Sequence, residues 1–286
     1  MYLGPMDVLV VDLESPTAPQ DFVTSLRTTG FAVLVNHAMP TELVEHVHRE
    51  WYEFFQGDAK GAYQFTSRQD GYYPPSIAET AKGSTVRDLK EFFHIYDWGQ
   101  YPTEVSDSAR QLRHLGAELA TMLLGWVDEG TPDEVRARLS VPLSQMLDGS
   151  TRTMLRVLHY PPLTGNEAPN AVRAAAHEDI NLLTVLPGSH EPGLQVLDTS
   201  GHWHDVPADP GTLVINAGDM LALATNGYYP STTHRVVNPT GDGRFRSRMS
   251  TPLFLHPADH VVLSADWTAL AFLEERIRIL RGVDVK

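Results

Sequence analysis

Cysteine is absent from the 286 residues of this sequence. Its absence excludes disulfide bonds, thiol nucleophiles, iron–sulfur clusters and cysteine zinc sites, so any metal ion must be held by nitrogen and oxygen ligands. Long apolar runs are also missing, because segments such as Met122 to Val127 are far shorter than the roughly 20 residues that cross a bilayer. No basic segment followed by an apolar stretch begins the sequence. We therefore expect a cytoplasmic protein with no membrane partner.

Positive charge is scarce. The sequence has 22 lysines and arginines against 36 acidic residues, giving a net charge of −14 and a pI near 5.3. A protein this negative repels phosphate backbones and anionic lipids, so we expect no nucleic-acid partner. Hydrophobic residues make up 42% and charged residues 20%, which is typical of a globular protein and excludes a largely disordered chain. The 13 histidines are therefore the first candidates for a functional site.

The order of predicted elements indicates a single domain over residues 1–286, with no repeat or linker to divide it. Residues up to about 150 are helix-rich and contain two early strands, at 8–13 and 30–35. Helices are predicted from Thr41, over about 107–126, and from Thr131, where Thr131, Pro132 and Glu134 match a capping box with proline at the first helical position. A C-terminal helix is predicted over about 265–282.

Residues from about 153 to 257 have a different pattern, in which short β-rich runs are separated by Gly, Pro and Asn. The predicted strands are 182–186, 193–197, 202–206, 212–216, 233–237 and 249–255. Such a series is typical of a β-sandwich, barrel or jelly roll. Before it, residues 64–101 predict an irregular loop long enough to cover a site. Tyr72 and Tyr73 are candidates for a substrate lid in this loop, with packing in the core or on the surface as an equal alternative.

Two potential metal ligands occur in the segment His177-Glu178-Asp179. Residues two apart in an extended strand project from one face, so His177 and Asp179 can point at the same ion. A carboxylate and two histidines form the facial triad that holds non-haem Fe(II) and leaves coordination positions open. The third ligand that we predict is His234.

Similar spacings elsewhere have to be weighed against this interpretation. His48 and Glu50 fall in a predicted helix, where residues two apart do not share a face. His202 and His204 can share a face of a predicted strand. No carboxylate is spaced to complete a site with that pair, so we interpret the two histidines as solvated residues at a hairpin edge.

A possible anion site follows His234 in the sequence. Arg248 and Ser250 are two apart in a predicted strand, which directs the guanidinium and the hydroxyl to one side. Arginine can hold a planar carboxylate through two parallel charge-assisted hydrogen bonds, and serine adds a further donor. Arg244 and Arg246 lie in the neighbouring Gly-flanked turn and fit a surface role better.

Nine segments spread over almost the whole sequence match one protein family in its own order. They are Val10 to Leu13, Gly30 to His37, Asp88 to Phe93, Leu155 to Pro162, His177 to Asp179, Gly193 to Leu197, Val214 to Asp219, His234 to Val236 and Arg248 to Ser250. Together they resemble the isopenicillin N synthase-like iron(II)/2-oxoglutarate-dependent dioxygenases. Each segment is weakly specific alone, but their joint presence in family order is highly specific.

The resemblance implies a mainly β fold with flanking helices, built on a double-stranded β-helix (jelly roll). It implies that His177, Asp179 and His234 bind Fe(II). Arg248, Ser250 and Tyr160 would bind 2-oxoglutarate. One departure from the family is Leu158, which stands where the family has an asparagine that contacts the cosubstrate.

The implied reaction consumes O2 and 2-oxoglutarate, releases succinate and CO2, and oxidises a small-molecule substrate. Hydroxylation is the commonest outcome in the family, and desaturation or cyclisation needs only a different positioning of the substrate. An iron oxidase that uses no 2-oxoglutarate is an alternative, because the arginine and serine persist in such relatives. A non-catalytic metal or small-molecule binding protein on the same fold is a third. The sequence leaves the substrate and the oligomeric state open.

Overall fold

Two β-sheets form the frame of the protein, seen in a computed structural model that describes residues 8–77 and 86–280. The described strands are β1 (Val10–Asp12), β2 (Phe31–Val35), β3 (Gly71–Tyr73), β4 (Glu91–Ile95), β5 (Met154–Tyr160), β6 (Ala174–His177), β7 (Leu183–Pro187), β8 (Leu194–Leu197), β9 (Trp203–Asp205), β10 (Leu213–Ala217), β11 (His234–Val236), β12 (Arg248–Ser250) and β13 (Leu253–Leu255). The described helices are α1 (Ala18–Thr29), α2 (Thr41–Gln56), α3 (Ser108–Gly130), α4 (Asp133–Arg136), α5 (Asp219–Ala224) and α6 (Ala269–Leu280).

The larger sheet has nine strands. Eight of them follow the order β1-β2-β10-β7-β13-β5-β4-β3, and the ninth, β12, pairs with β5. The smaller sheet has four strands in the order β6-β11-β8-β9. Among the strand pairs of the described residues, β1 and β2 run parallel and the other pairs are antiparallel. Strands distant in the chain pair in both sheets, such as β2 with β10 and β6 with β11, as in a double-stranded β-helix, and this confirms the predicted jelly-roll core with flanking helices.

The two faces of the larger sheet pack against different partners. Its outer face is covered by the helices, where Trp51 of α2 packs edge-on to Phe93 of β4 with ring centroids 5.1 Å apart. Its inner face meets the smaller sheet through a separate apolar cluster that includes Val33, Val214 and Val236. The alternation of side chains along each strand therefore decides which residues face the interior between the sheets.

The predicted capping box at Thr131 is wrong. The helix before it, α3, continues to Gly130, and the Thr131 hydroxyl donates a hydrogen bond to the Val127 carbonyl of that helix. Because this hydroxyl already binds the end of α3, it does not cap the next helix, and α4 has only four residues with Pro132 as its N-cap.

The irregular loop predicted over residues 64–101 is also wrong, although residues 78–85 of it lie outside the described part. Strands β3 and β4 come from this region and pair with each other, and β4 pairs with β5. Tyr72 and Tyr73 lie in β3 with only 4% and 8% of their surface exposed, and the Tyr72 hydroxyl donates to Glu91. Both tyrosines are thus part of the packed sheet and not of a covering loop.

The strand predicted over 249–255 is divided in two. Among the described strands, β12 pairs with β5 alone, whereas β13 pairs with both β5 and β7. The break falls at Thr251 and Pro252, because proline has no N–H for the ladder. Arg248 is the first residue of β12 and Ser250 is its last.

Candidate metal centre and cosubstrate pocket

The three predicted metal ligands meet at one end of the smaller sheet. His177 is the last residue of β6 and His234 is the first of β11, and the antiparallel register places them directly opposite each other. Their ring centroids are 4.4 Å apart. Asp179 follows His177 by two residues, just beyond the end of β6, and its carboxylate is directed toward the same point.

The facing atoms are arranged as ligands and not as hydrogen-bond partners. Asp179 Oδ1 lies 3.8 Å from His177 Nε2 and 3.7 Å from His234 Nε2, both too long for hydrogen bonds. The three side chains each offer a ligand atom within 4.8 Å of the others. Among residues 8–77 and 86–280, no other group of three histidines or acidic residues has this geometry.

The remaining polar atoms of the triad are already bound to protein. His177 Nδ1 is 2.7 Å from the Ala175 carbonyl, and His234 Nδ1 is 3.1 Å from the Thr232 carbonyl. A proton on each Nδ1 leaves the Nε2 lone pair free for a metal. The site therefore fits a divalent cation that accepts two neutral imidazoles and one carboxylate.

The second carboxylate oxygen of Asp179 is held by two donors. Thr184 Oγ1 donates to Oδ2 at 2.6 Å, and Asn216 Nδ2 donates to the same oxygen at 2.9 Å. These two bonds fix the orientation of the carboxylate and leave Oδ1 directed at the two imidazoles.

The electrostatics keep the triad in its metal-binding protonation state. Burial alone would raise the pKa of Asp179, but the adjacent imidazoles of His234 and His177 and the two hydrogen bonds outweigh burial and lower it. The pKa of His177 is lowered, first by its enclosure in the protein and then by His234, although 39% of its side chain is exposed at the sheet end. Both shifts favour the deprotonated forms that bind metals.

The predicted cosubstrate residues share the inner face of the larger sheet. Arg248 is opposite Tyr160 and Ser250 is opposite Leu158 in the β12–β5 pair. Arg248 is 3% exposed, its guanidinium carbon lies 5.7 Å from the Tyr160 ring centroid, and its Nε and Nη1 have no described hydrogen-bond partner. Leu158 packs with Tyr160 in a buried cluster, so the departure from the family gives this pocket an apolar wall.

Comparison with known proteins decides the family. The profile of the 2OG-Fe(II) oxygenase superfamily matches residues 151–257, and the profile described as non-haem dioxygenase in morphine synthesis, N-terminal, matches residues 9–115. A Caulobacter crescentus protein solved as a member of the 2OG-Fe(II) oxygenase family is 30% identical with a TM-score of 0.76, over 95% of this chain and 98% of that one. The chain belongs to this family.

Two further proteins are similar to this oxygenase over most of its length. A Shewanella oneidensis protein assigned as an oxygenase has a TM-score of 0.87 and 46% identity, and the match covers 97% of this chain and 100% of that one. Gibberellin 3-beta-dioxygenase 1 of Arabidopsis thaliana is 27% identical over an alignment of 278 positions that covers 90% of this chain and 73% of the plant protein. The comparisons confirm the predicted dioxygenase class, with iron(II), 2-oxoglutarate and O2. They do not favour the oxidase alternative, and closeness to isopenicillin N synthase itself stays a prediction.

The backbone of the oxygenase holds the segment that carries Asp179 against the start of α5. The Asp219 N–H donates to the Asp179 carbonyl at 2.7 Å, and the Gly218 N–H donates to the Leu182 carbonyl at 3.0 Å. A Cβ atom on Gly218 would lie 2.2 Å from the Asn181 carbonyl oxygen, which is far inside van der Waals contact. Gly218 is therefore required for this close approach.

The two other pairs with this spacing, His48 with Glu50 and His202 with His204, have hydrogen-bond partners elsewhere in the oxygenase. His48 Nε2 is 3.2 Å from Thr251 Oγ1, whereas Glu50 accepts hydrogen bonds from Ser106, as expected for residues on different faces of α2. His204 lies on β9, the edge strand of the smaller sheet, and its Nε2 is 2.7 Å from Asp198 Oδ2. A carboxylate does reach that pair, but only as a hydrogen-bond partner.

Three residues of the site were not predicted as such from the sequence. Thr184 and Asn216 orient Asp179, and the segment containing Asn216 was matched to the family without a role. Arg173 lies beside the cosubstrate pocket, and its only signal in the sequence is a charge within a run of alanines and valine.

No described helix of the oxygenase is both long and apolar enough to cross a bilayer.

Proposed function

We propose that His177, Asp179 and His234 bind the catalytic Fe(II). The observation that carries this proposal is that three ligand atoms converge while every other polar atom of the three side chains is bound by protein. When bound, the iron supplies the activation of O2 that couples oxidative decarboxylation of 2-oxoglutarate to oxidation of the substrate.

We further propose that Arg248, Ser250 and Tyr160 bind the carboxylate of 2-oxoglutarate that lies far from the metal. The buried guanidinium offers unpaired N–H donors on the face shared with Ser250, and a carboxylate accepts such donors through both oxygens. Burial strengthens this interaction because no water competes for the donors.

The substrate that we propose is a small molecule, and hydroxylation is the proposed outcome. The inner face beyond Leu158 is lined by the stacked rings of Tyr73 and Phe92, whose centroids are 4.6 Å apart. Such an apolar wall suits a metabolite better than a charged polymer. The gibberellin dioxygenase relative and the net charge of −14 support the same choice, and the lack of cysteine is consistent with a cytoplasmic location.

A screen of small-molecule substrates, scored by succinate release, tests the proposal. Release should require 2-oxoglutarate, Fe(II) and O2 together, and Asp179→Ala should abolish it by removing the anionic metal ligand. Turnover of a substrate without 2-oxoglutarate would support the oxidase alternative instead. Metal uptake with no O2 consumption under any substrate would support a binding protein, and activity retained in Asp179→Ala would refute the ligand assignment.

A further inference from the structure

A second buried arginine lies beside the cosubstrate pocket. Arg173 immediately precedes β6, four residues before His177, and none of its surface is exposed. Its Nη2 donates to the Arg246 carbonyl at 2.8 Å, whereas its Nε and Nη1 have no hydrogen-bond partner among the described residues. Three of its five N–H groups are on these two unpartnered atoms.

Arg173 and Arg248 both lie close to the ring of Tyr160. Their guanidinium carbons lie 6.0 Å and 5.7 Å from the centroid of Tyr160. The two arginines reach this ring from different sheets, since Arg173 enters from the start of β6 and Arg248 from β12. Both guanidiniums, each with unpartnered N–H groups, therefore lie near the Tyr160 side chain.

Within residues 8–77 and 86–280, no carboxylate is paired with the positive charge of these two arginines. Glu191 is the acidic residue that stabilises both charges at longer range, but its ion pair is with Arg246, at 3.6 Å. Burial lowers the pKa of Arg173 and of Arg248, and in Arg173 the charge of Arg248 lowers it further.

Two guanidiniums buried without ion pairs are costly unless an anion joins them. A carboxylate has two oxygens and about four acceptor positions, enough to take donors from two guanidiniums and a hydroxyl. The far carboxylate of 2-oxoglutarate is the anion that the proposed function already brings to Arg248.

We propose that Arg173 is a second binding residue for the far carboxylate of 2-oxoglutarate, acting together with Arg248. This inference rests on the proposed function of the pocket. It makes the carboxylate a bridge between the two sheets, and it makes affinity for 2-oxoglutarate depend on two positive charges instead of one.

The test measures binding directly, by calorimetric titration of Fe(II)-loaded protein without O2. Two ligands are compared: 2-oxoglutarate, and 2-oxopentanoate, which has the same 2-oxo acid group and chain length but no far carboxylate. The variants are Arg173→Met, Arg173→Lys and the matched control Arg244→Met, which changes an exposed arginine that packs on Phe245.

Arg173→Met should weaken 2-oxoglutarate by at least about tenfold, the effect of losing a hydrogen bond to a charged group. Arg173→Lys should weaken it less, because the charge remains and the planar donor fork is lost. Neither variant should change the affinity for 2-oxopentanoate, and Arg244→Met should change neither ligand. Fe(II) affinity and thermal stability, measured in parallel, identify any general damage to the fold.

The pairing with Arg248 has its own readout. If both arginines bind one carboxylate, the loss in Arg173→Met/Arg248→Met should differ from the sum of the single losses, as in a double-mutant cycle. Wild-type affinity for 2-oxoglutarate in Arg173→Met, or equal losses for both ligands, would overturn the inference. If Arg173→Met does not fold, Arg173→Lys decides by the same comparison. Failure of the wild-type protein to bind 2-oxoglutarate at all would instead refute the proposed function.

Discussion

The hydrogen bond from Thr184 to Asp179 gives a sharp test of how the site is built. Thr184 is 2% exposed, and its hydroxyl donates to Asp179 Oδ2 at 2.6 Å. Valine has nearly the same shape, so Thr184→Val removes this donor and sets a methyl group against a buried carboxylate oxygen. Asn181 Nδ2 also loses an acceptor at 3.2 Å but keeps its bond to the Leu183 carbonyl.

The expected magnitude follows from the charge on the acceptor. A hydrogen bond to a charged group contributes about 1.5–3 kcal/mol, and the free energy of unfolding of the metal-free variant should fall by that amount at neutral pH. Loss of a group that orients a metal ligand typically weakens metal binding by about 10–100-fold. We therefore expect Thr184→Val to raise the dissociation constant for Fe(II) by about that factor.

The pH dependence has a definite sign. The pKa of Asp179 lies below its ordinary value of 3.8, so its charged interactions stabilise the folded state above that pH. That stabilisation is lost as the pH falls through the lower, folded-state pKa. The stability difference between wild type and Thr184→Val should accordingly be constant at neutral pH and shrink below about pH 4.

The assay is a chelator competition for Fe(II) without O2, combined with denaturant unfolding of the metal-free proteins. Thr225→Val is the matched control, because the Thr225 hydroxyl is also buried but donates to the neutral Leu221 carbonyl at 2.8 Å in α5. That variant should lose some stability and keep its Fe(II) affinity. Unchanged Fe(II) affinity in Thr184→Val would show that this hydroxyl does not orient the ligand, and the reasoning would fail.

Three further changes address the pocket, the backbone and the surface. Arg248→Ala should weaken 2-oxoglutarate binding by about 1.5–3 kcal/mol in calorimetry and leave Fe(II) binding nearly unchanged, and equal losses for both would contradict its role. Gly218→Ala should lower the free energy of unfolding by about 1–3 kcal/mol and weaken Fe(II) binding, because the new Cβ would lie 2.2 Å from the Asn181 carbonyl oxygen. Wild-type stability and Fe(II) affinity in this variant would exclude the tight contact. Asp259 accepts two hydrogen bonds from Arg152, at 2.8 and 2.9 Å, in a partly exposed ion pair. Asp259→Asn removes the charge from this pair and should lower the free energy of unfolding by about 0.5–1 kcal/mol at pH 7. The loss should vanish as the pH falls through the lowered pKa of Asp259, and a loss that persists in acid would point to packing instead.

Local pattern was sufficient for most of the jelly roll. Short apolar runs bounded by Gly, Pro and Asn predicted β7, β8, β9 and β10 to within about a residue, because side-chain alternation and turn chemistry are local properties. The same local rule failed for β3 and β4. β4 becomes a strand by pairing with β5, a partner distant in the sequence, and β3 in turn pairs with β4, so tertiary contacts override weak local preference.

The hydroxyl of Thr131 shows a second limit. A threonine followed by proline and glutamate fits a helix start, but the same hydroxyl can also bond back to a preceding turn. It does so here, to Val127, because α3 runs further than its apolar spacing indicated. Both the helix start and the bond back to α3 are compatible with the sequence. In the folded protein α3 packs against the sheet, and the Thr131 hydroxyl binds the Val127 carbonyl.

By itself the sequence determined which side chains can share a face, since the spacing of His177 and Asp179, and of Arg248 and Ser250, puts each pair on one side of any strand. Only the tertiary structure decided that His234 lies opposite His177 and that Arg173 is buried beside Tyr160. The physical reason is that spacing along a strand is set by covalent geometry, whereas contacts between strands depend on their register, which shifts within the β6–β11 pair, and on burial, and both involve the whole chain.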